Sequence, residues 1–165
     1  MNYKFEFDRL EGDWIIQSTN YSLLNNKLFT YIDQINWKKI QNKNNIIKPI
    51  LKQIIQEYSI TNYSIYITKS KNRNQINNFY KIFLHNNTIN KVYILKLDYL
   101  GNIINKAFFK ENNSQSLSIN YKNGPFYITE ITYLINYNLK IVKSLIKKNQ
   151  KCIGISFSSE IKINS

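Results

Sequence analysis

The chain has 165 residues, 43% of them hydrophobic, with a net charge of +13 and a sequence pI near 9.7. That suffices for one domain, residues 1–165, with a single core or a small closed barrel. The apolar runs are far short of the roughly 20 residues a membrane-spanning helix needs. A lone cysteine, Cys152, and a lone histidine, His85, exclude an intrachain disulfide, a thiolate cage and paired-histidine metal spacing. They also weigh against a histidine-based triad.

The first nine residues lack the apolar stretch of a secretory signal, and Glu6 and Asp8 argue against a transit peptide. The protein is therefore expected to work in the compartment where it is made. A short helix fits Asn2–Leu10. A strand-like run opens at Gly12-Asp13-Trp14-Ile15-Ile16-Gln17-Ser18-Thr19-Asn20-Tyr21. Further on, Ile46, Ile47, Ile50, Leu51, Ile54, Ile55 and Tyr58 form one apolar stripe at helical spacing, with Pro49 in the first turn. The spacing predicts an amphipathic helix over 46–58, packed on one flank or mouth of a sheet.

Almost everything else reads as short strands. Tyr63, Ile65 and Ile67 alternate with Ser64, Tyr66 and Thr68, and a second strand covers Phe79–Leu84. Residues 92–98 and 103–109 flank Tyr99-Leu100-Gly101-Asn102, a hairpin turn. Strands follow at 117–121, 126–135, 138–146 and 152–163, with a turn at Lys122-Asn123-Gly124-Pro125. His85, beside Asn86 and Asn87, reads as a surface loop residue. In the last strand Ile153, Ile155, Phe157, Ile161 and Ile163 share one face with Ser159, and Cys152, Gly154, Ser156, Ser158, Glu160 and Lys162 share the other. Such alternation puts one face on a core and the other on water or a polar cavity. Consecutive strands with hairpin turns predict a mainly β, antiparallel meander, whose closure into a barrel would remove its edges.

Two regions carry a resemblance to a known family. Trp14, Gln17, Thr19 and Tyr21 match an opening strand of the form Trp-x-Ser-Gln-Arg-Thr-x-Tyr, with Ile16 for the serine and Ser18 for the arginine. Glu130, Tyr133, Leu134, Asn138, Leu139, Lys140 and Ser144 match a late hairpin, with Tyr137 at a usual proline and Val142 at a usual arginine. Ser156, Phe157, Ser159, Glu160, Ile161 and Lys162 match the closing strand. In these segments, about a third of the chain, the sequence resembles the CpcS/CpeS-type phycobiliprotein lyases. The resemblance implies a lipocalin-like barrel of about ten strands. It also implies a chromophore lyase that binds a phycobilin non-covalently and transfers it to a cysteine of an apo-phycobiliprotein, forming a thioether.

Such a pigment is a linear tetrapyrrole with two propionates, pyrrole N–H groups and a reactive ethylidene on ring A. Its carrier needs an aromatic cavity, cations for the propionates and a carboxylate near the nitrogens. The resemblance accordingly implies Glu130 as the catalytic carboxylate, accepting pyrrole N–H bonds or protonating the pigment. It implies Lys140, Asn138, Ser144, Trp14 and Tyr133 as bilin-binding residues, with Lys140 pairing a propionate. Phycocyanobilin or phycoerythrobilin is then a substrate, and no cofactor or metal is called for. The implied partners are the pigment, the apo-phycobiliprotein subunit and another lyase chain, identical or different. The implied location is the plastid stroma, in the service of the phycobilisome.

The high charge on its own suggests nucleic acid. Against this, Lys, Asn and Ile make up roughly half of the chain, while arginine occurs only at Arg9 and Arg73 and alanine only at Ala107. An A/T-rich genome such as a plastid's accounts for much of the lysine. Two other classes remain: a bilin or small-ligand carrier without transferase activity, and, less favoured, a basic plastid nucleic-acid-binding protein. Trp14 also fits a core plug, and Glu160 and Lys162 fit residues that either solvate the last strand or pair across it.

Overall fold

Period-two alternation runs through most of the chain, and its consequence is one sheet rolled into a cylinder. The structure, a computed structural model, describes residues 5–41, 45–58, 60, 62–72, 75–86 and 91–163. Ten antiparallel strands follow one another: β1 (Gly12–Ser22), β2 (Lys27–Lys39), β3 (Asn62–Asn72), β4 (Gln75–Asn86), β5 (Lys91–Leu97), β6 (Ile103–Asn113), β7 (Ser116–Asn123), β8 (Phe126–Asn136), β9 (Leu139–Lys148) and β10 (Lys151–Ile163). Each pairs with its sequence neighbour, and β10 returns to β1 from Asp13↔Ile163 to Ser22↔Gly154, so the barrel closes.

The helix α1 (Ile47–Tyr58) lies outside this barrel. Its buried face is Ile47, Leu51 and Ile54, packed on Ile65, Ile82, Leu84, Leu95 and Leu97 from the outer face of β3, β4 and β5. Each such aliphatic side chain contributes about 1.5–3 kcal/mol on burial. The stripe read from the sequence is thus helix-on-barrel packing. At the β5–β6 turn, Asp98 accepts N–H bonds from Leu100 and Asn102. Gly101 there has φ +93°, and a Cβ on it would stand 2.9 Å from Ile46 Cγ2. The turn therefore needs glycine both for its backbone and for its closeness to the start of α1.

One end of the barrel is plugged. A 3₁₀ turn, Phe7–Leu10, sends Phe5, Phe7 and Leu10 into a core with Trp14, Trp37, Tyr66, Phe83, Phe109 and Leu134. Phe7 stacks edge-on or tilted against Phe83 at 4.7 Å and Phe109 at 5.5 Å. The expected N-terminal helix is this single turn; residues 1–4 of that expectation lie outside the described residues. Toward the other end the inward side chains, among them Asn20, Ile128, Ser144 and Ser156, are only half-buried. The cylinder is a cup, closed below by aromatics and accessible from above.

Four sequence expectations are corrected. β2 is absent from the nine strands read above, because Leu28, Phe29, Thr30, Tyr31 and Ile32 put apolar side chains on both faces and hide the alternation. Strands run to 13 residues, longer than expected. On β10 the apolar row faces outward, with Phe157 45% and Ile161 56% exposed, and the polar row lines the interior. His85 is a buried inward residue of β4, its ring 5.4 Å from Phe7, and not a surface loop residue.

Candidate functional site

Cross-strand register decides which predicted residues meet. On the inner wall Glu130 (β8) stands opposite Ser144 (β9), which stands opposite Ser156 (β10). Two inward positions toward the plug, past Val142 and Ser158, Lys140 (β9) stands opposite Glu160 (β10). Trp14 (β1) reaches the same region, with its Nε1–H donated to the carbonyl of Leu10 at 2.9 Å. Glu130, Lys140, Ser144 and Trp14 therefore share the interior. Asn138 and Tyr133 do not join them. Asn138 sits in the exposed β8–β9 turn, its backbone N–H donated to Asn136 Oδ1. Tyr133 is on the outer face of β8, under Lys143 Nζ at 5.4 Å.

Lys140 is 2% exposed and its Nζ lies 2.7 Å from Glu160 Oε2. Burial pulls its ammonium down in pKa, and the Glu160 carboxylate opposes that. The same nitrogen sits 3.9 Å over the Trp14 ring and 5.5 Å from the Trp37 ring. A buried ion needs this kind of company, since an unpaired charge away from water is costly. Lys140 is thus already neutralised by a partner on the next strand.

Glu130 is half-buried and accepts the Tyr121 O–H at 2.7 Å. Burial, then the Glu130 charge, pushes the Tyr121 phenol well above its ordinary range, so it remains a donor at any physiological pH. Glu130 Oε2 has no hydrogen bond among the described residues. The carboxylate is therefore oriented through one oxygen with the second left for another donor.

Across the barrel, Lys81 (β4) stands opposite Lys96 (β5), both on the inner face. Lys81 Nζ lies 4.1 Å from the centroid of Trp37, and Lys96 Nζ lies 4.0 Å from that of Phe79. Burial above all, then repulsion from Lys96 and Lys140, lowers the Lys81 pKa to about 8, while Glu130 and Glu160 raise it. Lys81 nevertheless keeps some accessible surface. Sequence reasoning missed Lys81, Lys96, Tyr121 and Trp37. A signal for Lys81 was present: it alternates with Phe79 and Phe83 on one strand face, where a lysine among aromatics implies an interior charge.

A space of about 760 Å³ opens at the plugged end, between the N-terminal turn and the ends of β3 and β4, lined by residues that include Phe7, Arg9, Tyr63, His85 and Tyr137. Among the described residues no three His, Cys, Asp or Glu side chains gather as a metal site.

A closed ten-stranded antiparallel barrel with an outer helix, an aromatic floor and buried acid and lysine side chains is a lipocalin-like architecture. Comparison with known proteins narrows it. The chain is 33% identical over 165 residues, 99% of both chains, to a chromophore lyase CpcS/CpeS homolog of Gracilaria tenuistipitata var. liui. It is 28% identical over 159 residues, 95% of both chains, to a chromophore lyase CpcS/CpeS homolog of Porphyra purpurea. Among solved structures, the S-type phycobiliprotein lyase CPES from Guillardia theta superposes with a TM-score of 0.71 over 96% of this chain and 91% of that one, at 12% identity, which is a likeness of fold. No protein-family model matches the chain. The chain belongs to the CpcS/CpeS chromophore lyase family.

Proposed function

We propose that the cup binds a phycobilin non-covalently and delivers it to a cysteine of an apo-phycobiliprotein subunit in the plastid stroma. The observation that carries this reading is the pairing of Glu130 with Tyr121 inside an aromatic, mouth-accessible barrel. A tetrapyrrole offers pyrrole N–H donors along its concave edge, and Glu130 Oε2 is the acceptor left for them. Ser144 and Ser156 beside it can exchange hydrogen bonds with one of the pigment's terminal lactam oxygens.

The attachment joins the acceptor's thiolate sulfur to the ethylidene carbon of ring A. The C–S bond forms as the exocyclic double bond is used, a proton ends on the conjugated system, and no group leaves. Glu130 is the group placed to hold and hand over that proton, and Tyr121 fixes its orientation. The barrel contributes chiefly by holding an otherwise floppy pigment in one extended pose, converting a random encounter into an oriented one. The acceptor cysteine belongs to the partner, and Cys152, exposed at the rim on β10, is not needed.

Co-expression with a bilin-producing pathway and candidate apo-subunits tests the proposal. Pigment that remains on the acceptor after denaturation, only when this chain is present, is the expected result. Pigment that copurifies with the barrel but never reaches any acceptor covalently would leave a carrier in place of a lyase.

A further inference from the structure

An inner wall made to receive a ligand keeps charges that the protein itself does not neutralise. Inside this barrel Lys140 is matched by Glu160 at 2.7 Å, Asp33 accepts the Ser70 hydroxyl at 2.9 Å, and Glu130 accepts that of Tyr121. Lys81 and Lys96 are different. They stand directly opposite each other on β4 and β5, and neither forms an ion pair among the described residues. Like charges in cross-strand register repel and cost stability. The groups in contact with them are ring faces, Trp37 at Lys81 and Phe79 at Lys96, and the Glu130 carboxylate acts on both through its charge without forming an ion pair.

A second orphan lies at the same place. Trp37 is 9% exposed, and its Nε1–H is buried with no hydrogen-bond partner among the described residues. A buried donor without an acceptor is rare and unfavourable. Two unpaired ammonium groups and an unpaired indole N–H, all donors and all on one wall, lack the same thing: an anionic acceptor. On the opposite wall Ser18, Ser158 and Val142 line the inner face beside the Lys140–Glu160 pair, and Glu130 forms no ion pair with either lysine among the described residues.

We propose that Lys81 and Lys96, with the Nε1–H of Trp37 beside them, form a carboxylate anchor that takes the acidic side chains of the tetrapyrrole. The inference rests on the reading of the cup's ligand as a phycobilin. It moves the anion site from Lys140 to the wall formed by β4 and β5. A pigment held there by its propionates spans the barrel, with its pyrrole nitrogens facing Glu130 on the far side. Loading would relieve the Lys81–Lys96 repulsion, so the site is stable when filled and strained when empty. Its specificity is for a tetrapyrrole with free carboxylates.

The test compares biliverdin with biliverdin dimethyl ester, titrated into the full chain by absorbance and tryptophan quenching at low salt. The wild-type protein should bind the diacid about ten- to a hundredfold more tightly than the ester. Lys81→Met/Lys96→Met should erase that preference by weakening diacid binding far more than ester binding, and Lys81→Arg/Lys96→Arg should restore it. If the double variant fails to fold, Lys96→Met alone should cut the diacid-to-ester ratio severalfold. Equal binding of both pigments by the wild type, or an undiminished preference in the methionine variants, overturns the anchor but leaves the phycobilin reading standing. A wild-type protein that binds neither pigment overturns both.

Discussion

Lys140 and Glu160 form the ion pair at the floor of the barrel, 2.7 Å apart on neighbouring strands and nearly closed to solvent, with the Trp14 ring as a third wall. The pair joins β9 to β10 next to the seam where β10 meets β1, so it stands where the cylinder closes. Its two charges satisfy each other, which makes it a structural element more than a ligand contact.

Removing one member should therefore be worse than removing both. Lys140→Met leaves the Glu160 carboxylate buried and alone, at a cost of about 3–5 kcal/mol. Lys140→Met/Glu160→Leu should recover most of that loss. Chemical denaturation of the two variants and the wild type checks the order; additive losses would show that the two groups do not interact.

The inside-out character of β10 gives a second expectation. Ile161→Thr and Phe157→Ser alter outward side chains and should shift stability by no more than about 0.5 kcal/mol. Leu134→Ala, at a position 2% exposed in the plug, should cost about 2–5 kcal/mol. Urea midpoints at constant slope decide this; a large loss at Ile161 would mean that the register is shifted by one residue.

That register also marks how far the sequence could be read. The meander, the outer helix and the closing strand follow from periodicity and turn residues alone. Alternation on β10 separates two faces but carries no sign for which is inner, because a ligand-binding barrel can be polar within and apolar without. Lys140 was legible as an inward residue only through the family's pattern, and its partner Glu160 required the register. The Lys81–Lys96 pair depends on the register between β4 and β5, and the Trp37 contact joins β2 to β4, neither of which a local window displays. His85 was misread because asparagine after it suggested a loop, whereas its ring is packed against Phe7 and Phe109.

Acidity provides a third prediction. The Lys81 pKa of about 8 lies below the ordinary lysine value of about 10.4, owing first to burial and then to Lys96 and Lys140, against Glu130 and Glu160. Between these two pH values the unfolded chain holds a proton that the folded chain has released. Unfolding then takes up a proton, and the stability of the empty protein rises with pH across that window. Affinity for a diacid tetrapyrrole should move the other way, falling above pH 8 by up to about tenfold per pH unit. The ester should show no such fall. Titrations at pH 7, 8 and 9 in one buffer series, about a unit apart, compare the two; a flat diacid profile would contradict the assignment of Lys81.

Glu130 and Tyr121 should act on transfer more than on binding. Glu130→Gln keeps an acceptor oxygen but cannot exchange a proton, so covalent attachment should slow by about 10²–10⁴-fold with pigment affinity changed only modestly. Tyr121→Phe, which leaves the carboxylate but frees its orientation, should slow attachment by less. Single-turnover transfer from preloaded barrel to acceptor separates the two steps; equal losses in binding and transfer would make Glu130 a binding group only.

The most direct measurement mixes purified protein, phycocyanobilin or phycoerythrobilin, and apo-phycobiliprotein subunits, and follows pigment that survives denaturation on the acceptor. The cup is predicted to load the pigment without a thioether to itself and to accelerate its appearance on one acceptor cysteine, with Glu130→Gln abolishing most of the acceleration. Attachment at the same rate with and without the barrel would contradict the account.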